Sequence, residues 1–165
     1  MKNKSIITIV FIIICFGVLA FFGGMLGAGP NGYAQQYEFD VNKNVLINSI
    51  ERLKSENAAF SPPQNYTDKD SLDSLTGHFN VNFFYRDKNT IVYFFINDKQ
   101  GNTNKSFVNL VSVNEGFHQE NYKLINRDFD RKENLKVKKD FEERILTKLK
   151  IPYTDSGNGM FIFWK

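Results

Sequence analysis

Cysteine is all but missing from this chain. The single copy, Cys15, lies inside an apolar run, so no intramolecular disulfide can form and no thiol outside that run can serve as nucleophile or metal ligand. Lipid modification at Cys15 would require a small residue immediately before it, and Ile14 fills that place. Histidine is nearly as scarce, with His78 and His118 only. An extended segment would put His118 and Glu120 on one face, but zinc takes three or four ligands and no third can be named. His118 and Glu120 also open a zinc-deaminase pattern, whose cysteine pair has no counterpart here.

Other chemical signatures are absent as well. There is no Gly-x-Ser-x-Gly elbow and no glycine-rich loop placed between a strand and a helix, so neither a serine nucleophile nor a phosphate cradle is indicated. Asp68 and Asp70 match the opening of a calcium loop, but Leu72, Asp73 and Phe79 occupy positions where that loop needs a ligand, a glycine and a glutamate. No catalytic, cofactor-binding or metal-binding residue is therefore expected, and no cofactor.

A strong excess of one charge is also lacking. The formal net charge is +3, and setting aside Lys2 and Lys4 ahead of the apolar run leaves about +1. The densest basic group, Lys136, Lys138 and Lys139, stands beside Asp140, Glu142 and Glu143, as on a solvated helix face. Binding to nucleic acid, which requires a concentrated basic patch, is excluded on this ground.

What the chain does have is one long uncharged stretch. Residues 6–26, following a five-residue tail, would form a helix roughly 31 Å long, the thickness of a hydrocarbon core. Lysines precede this stretch and none follows before Lys43, so the positive-inside rule places the N-terminus in the cytoplasm and the remainder outside. The expectation is a single-pass protein of the cell membrane, in contact with the bilayer through residues 6–26. Secretion after cleavage near Ala34, where Gly32-Tyr33-Ala34 offers a small-x-small site, is the alternative. Ala20, Gly24 and Ala28, with Gly23 and Gly27, form a stripe of small residues through which two membrane helices can approach closely.

Residues 27–39 read as a flexible spacer, and residues 40–165 as an extracytoplasmic α+β domain. Leu46, Ile50 and Leu53 recur at helical spacing within residues 41–57, as do Val137, Phe141, Ile145 and Leu149 after residue 134. Between them, Phe79, Val81, Phe83 and Tyr85 alternate with polar residues, which predicts a strand. A turn then leads to residues 90–96, apolar on both faces, and a third strand is expected at 106–113. Residues 58–77 read as loop, 115–130 carry no clear pattern, and 160–164 suggest a closing strand. About four antiparallel strands with two helices mainly on one face is the resulting fold.

Aromatic residues, 17 Phe, 7 Tyr and one Trp, are the remaining hint. If the helices cover one face of the sheet, Phe84, Phe94, Phe161, Phe163 and Trp164 are candidates for an interaction surface, unless the irregular segments fold over it. The leading expectation is a non-enzymatic protein whose outer domain mediates protein–protein interaction in an envelope assembly, by a partner or by self-association. The alternative is a ligand-binding or hydrolytic domain with a pocket between sheet and second helix, using His78, Arg86 or His118.

Overall fold

A computed structural model describes residues 30–63, 66–99, 102–116 and 121–158. The candidate membrane segment 6–26 and its small-residue stripe lie outside these residues. So do Phe161, Phe163, Trp164 and the strand expected at 160–164. None of the described helices is long and apolar enough to cross a membrane.

The described chain is α+β, with two helices and a seven-stranded antiparallel sheet, larger than the sequence suggested. In chain order the elements are β1 (Gln35–Phe39), α1 (Lys43–Glu56), β2 (Ser71–Leu72), β3 (Phe79–Tyr85), β4 (Thr90–Lys99), β5 (Asn102–Glu115), β6 (Tyr122–Leu124), α2 (Arg131–Arg144) and β7 (Tyr153–Asn158). The sheet order is β2-β3-β4-β5-β1-β7. β1 pairs with Ser106–Leu110 of β5, and β6 pairs with Ser112–Asn114 farther along the same strand.

β1 falls in the segment that composition marked as spacer. Its residues alternate, with Tyr37 and Phe39 fully buried and Gln36 and Glu38 partly exposed, the period of a half-buried strand. β7 includes Asp155, Ser156 and Gly157, residue types that favour turns; pairing with β1 holds them extended. Strand propensity yields here to tertiary context.

Both helices contribute to one core. Asn42 caps α1 by accepting from the Asn44 N–H at 2.8 Å, and Asp130 caps α2 by accepting from the Glu133 N–H at 2.8 Å, each satisfying a donor that the first helical turn leaves open. Leu46, Ile50 and Leu53 of α1 and Phe141 of α2 pack with Val81, Phe83, Val92, Phe94, Val108 and Leu110 of the sheet. The expectation of helices on one face is met there. Phe94 lies at the centre of this core, its ring centroid 5.2 Å from Phe141 and 5.7 Å from Phe83.

A bulge in β5 sets the register of everything beyond it. Phe94 pairs with Leu110 and Tyr93 with Ser112, so Val111 is the extra residue. Unbroken alternation would turn Ser112 and Asn114 toward the helices. The added residue instead brings Val113 into the helix-covered core beside Val92 and turns Ser112 and Asn114 toward the opposite face, the side-chain reversal that a one-residue shift produces.

Two further features hold the edges. Lys54 and Asp70 form an ion pair against the outer edge of β3: the Asp70 carboxylate accepts from the Asn82 N–H at 2.9 Å, and the Lys54 ammonium donates to the Asn82 carbonyl at 2.7 Å. Asn126, in the left-handed region at φ 61°, exchanges hydrogen bonds with Asn134 of α2. Its amide also donates to the Tyr33 carbonyl at 2.8 Å, tying the chain just before β1 to the start of α2.

Candidate functional site

The face of the sheet opposite the helices is divided in two. Across β1, β5 and β4 runs a ladder of carboxamides, Gln36 donating to Asn109 at 3.0 Å and Asn109 donating to Asn97 at 2.6 Å. Glu38 continues it with Lys99 and Lys105, which hold its carboxyl below the ordinary carboxylate range, the hydrogen bond from Lys105 being the main cause. Such a surface needs no apolar cover.

The other half is covered. Ala34, Phe95, Val111 and Leu124 form a second, small core, with Tyr33 and Tyr93 packed against it. Phe84, a candidate interaction aromatic, is buried, and Phe94 belongs to the helix-covered core. Neither lies on an open surface. Because residues 90–96 are apolar on both faces, the sequence left open which aromatics the helices cover. In the structure parts of both irregular segments, around Tyr66–Lys69 and Tyr122, fold over this face.

Between those segments and the sheet lies a cleft. One lobe, about 340 Å³, is lined by Tyr66, Asp68, Ile91, Tyr93, Ser112, Asn114 and Tyr122. An adjoining lobe of about 570 Å³ shares Tyr66, Asp68, Tyr93 and Tyr122 and reaches Lys69, Asn80 and Asn82. Tyr93 donates its hydroxyl to Asn80 Oδ1 at 2.9 Å, and Asn82 donates from its amide to the Asp68 carbonyl at 3.2 Å. Burial, reinforced by Asp68, pushes the Tyr66 hydroxyl up to about 12, and burial also raises Tyr93. Both phenols stay neutral hydrogen-bonding groups at physiological pH.

Two residues lining the first lobe, Ser112 and Asn114, carry buried atoms, Oγ and Oδ1, that have no hydrogen-bond partner among the described residues. Most buried polar groups in native proteins are paired, so an orphan pair in one cleft calls for a ligand or solvent. The sequence does not single out Ser112 and Asn114, because their common face depends on the bulge at Val111. Tyr66 and Tyr122 stood in segments without periodicity.

Of the polar groups named from sequence, His78 and Arg86 stand at opposite ends of β3. His78 stacks on Phe95, ring centroids 4.4 Å apart and planes within 9°. Arg86 is exposed in the turn between β3 and β4, and His118 lies outside the described residues. Among the described residues no three His, Cys, Asp or Glu side chains gather to hold a metal.

Desolvation lowers the His78 pKa, against an opposing pull from Asp73. A histidine in the unfolded chain titrates near 6.5, so lowering the pH through that value protonates the unfolded state first. Stability falls until the folded-state pKa is passed. The urea midpoint of the protein is therefore expected to drop more between pH 7 and pH 5 than that of His78→Phe; parallel curves would show that the stack does not perturb His78.

Comparison with known proteins finds no matching family model, no matching curated protein and no matching solved structure.

Proposed function

We propose that this chain is a non-enzymatic single-pass membrane protein whose extracytoplasmic domain mediates protein–protein interaction in an envelope assembly, with the tyrosine-lined cleft as its recognition surface. The observation that carries this reading is the pair of buried polar atoms, Ser112 Oγ and Asn114 Oδ1, without a hydrogen-bond partner among the described residues. A buried polar group without a partner costs about 1–3 kcal/mol, and a bound protein segment that displaces the Tyr66–Asp68 cover and bonds both atoms would remove that cost.

The lining fits the task. Tyrosine, serine and asparagine combine rigid rings with adaptable hydrogen bonds and recur at protein-binding surfaces. Tyr122, 43% exposed, is available at the rim. The uncharged run at residues 6–26 supplies the anchor, and its stripe of Ala20, Gly23, Gly24, Gly27 and Ala28 supplies a surface for another membrane helix or a second copy.

A photocrosslinking residue in place of Tyr122, in the full chain in native membranes, tests this. It is expected to yield a discrete protein adduct that the same probe at exposed Lys132, on α2, does not. Ser112→Ala removes a buried, unpartnered oxygen, so stability should be unchanged or higher, by up to about 1–3 kcal/mol, while the adduct drops several-fold. Equal adducts from both positions, or an adduct indifferent to Ser112→Ala, would overturn the proposal.

A further inference from the structure

β1 and β7 run side by side in opposite directions, and their register pairs Gln35 with Asn158. At Gln35 the chain that follows the uncharged run of residues 6–26 enters the sheet, and at Asn158 it leaves the sheet toward residues 160–165. Entry and exit are therefore neighbours, about 5 Å apart across the ladder. Beyond the exit come five uncharged apolar residues, Met160, Phe161, Ile162, Phe163 and Trp164, and then Lys165.

We infer that residues 160–165 are a second membrane contact, with Phe161, Phe163 and Trp164 held in the headgroup region of the bilayer that residues 6–26 cross. This contact presupposes the anchor proposed above and is independent of the cleft. Composition supports it. Five apolar residues are far too few to span a hydrocarbon core, whereas tryptophan beside phenylalanine suits the water–membrane boundary, where amphipathic and aromatic rings collect. The Lys165 ammonium would stay in water while its hydrocarbon stem lies along the boundary.

Reach supports it independently. Pro30–Tyr33 form a 3-10 turn, which advances about 2 Å per residue, and the other links between residue 26 and Gln35 span at most about 3.5 Å each. Gln35 therefore stands no more than roughly 25 Å from the end of the apolar run. Headgroups fill about 5–7 Å of that distance, leaving at most roughly 20 Å. The links from Asn158 to Trp164 can extend about 20 Å. Because the anchor already holds the domain at the surface, the contact forms within one tethered molecule, and a short segment that binds lipid weakly by itself suffices.

Trp164 is the single tryptophan of the chain, so its fluorescence reports this contact alone. The test uses the full chain reconstituted into phosphatidylcholine–phosphatidylglycerol vesicles, with flotation reporting the anchor. Blue-shifted emission is expected, quenched strongly by lipids brominated near the headgroup end of the acyl chain and little by aqueous acrylamide. Phe161→Ser combined with Phe163→Ser alters no described residue, so the unfolding midpoint should hold while more than half of the lipid quenching is lost. Vesicles that float with Trp164 open to acrylamide would overturn the contact and leave the anchor standing. Shielding from both quenchers would place the segment against protein, such as the outer edge of β7, and would also overturn it, as would lipid quenching that the double variant retains. Protein that fails to float would overturn the anchor and this contact together.

Discussion

Replacing Asp70 by alanine is expected to cost about 3 kcal/mol, read as a lowered urea midpoint with unchanged slope. The loss is large because of what remains. Lys54 keeps only 12% of its side chain exposed, lies 4.9 Å over the Phe83 ring, and would be left as a charge without its counterion. Burial already holds the Lys54 ammonium below the ordinary lysine range despite Asp70, so desolvation outweighs the attraction of its partner. Breaking such a pair is therefore worse than never having made it. The double variant Lys54→Met with Asp70→Leu is expected to recover most of the loss in stability.

The double variant should still differ in one respect. Asp70 and Lys54 occupy the N–H and carbonyl of Asn82 on the outer edge of β3, the groups through which a further strand could add. Stability restored together with concentration-dependent association would show that the pair guards the edge. An Asp70→Ala variant within about 0.5 kcal/mol of the parent would place the pair with ordinary surface ion pairs.

Phe94→Ala is expected to lose about 4 kcal/mol, near the middle of the range for emptying a buried aromatic site. The ring is fully buried between Phe83 on the sheet and Phe141 on α2, so its removal loosens a helix as well as a strand. Denaturation followed by circular dichroism measures this. A fall below about 1 kcal/mol, the effect of a surface change, would mean that Phe94 faces a partner and not the core.

How far the fold can be read from sequence differs from element to element. Leu46, Ile50 and Leu53 mark one helix, and Phe141 with Ile145 the other, because their spacing survives any tertiary detail. β3 and β4 are equally legible. β1 has only five residues, and its alternation of Tyr37 and Phe39 follows directly on a glycine-rich stretch that dominates the composition. β7 has only Tyr153 and Thr154 to favour a strand, and its remaining residues are held extended by pairing with β1. β2, two residues long, carries no pattern at all.

The candidate site was less legible still. Its floor depends on the Val111 bulge, which reverses the faces of Ser112 and Val113 without a glycine or proline to announce it. Its roof depends on Tyr66 and Tyr122, 56 positions apart, arriving over the same strands. Periodicity reports which residues share a face, but not which loop closes over that face.

The path by which the chain enters the sheet has a mechanical consequence. β1 is an interior strand, bonded along its length to β5 on one side and β7 on the other, and the Asn126 amide grips the backbone at Tyr33 just before it. Tension applied through the N-terminal segment would load both ladders in shear along the strand, so that many hydrogen bonds resist together, where an edge strand would peel away one bond at a time. A domain tethered in this way can transmit pull to its surroundings before it yields.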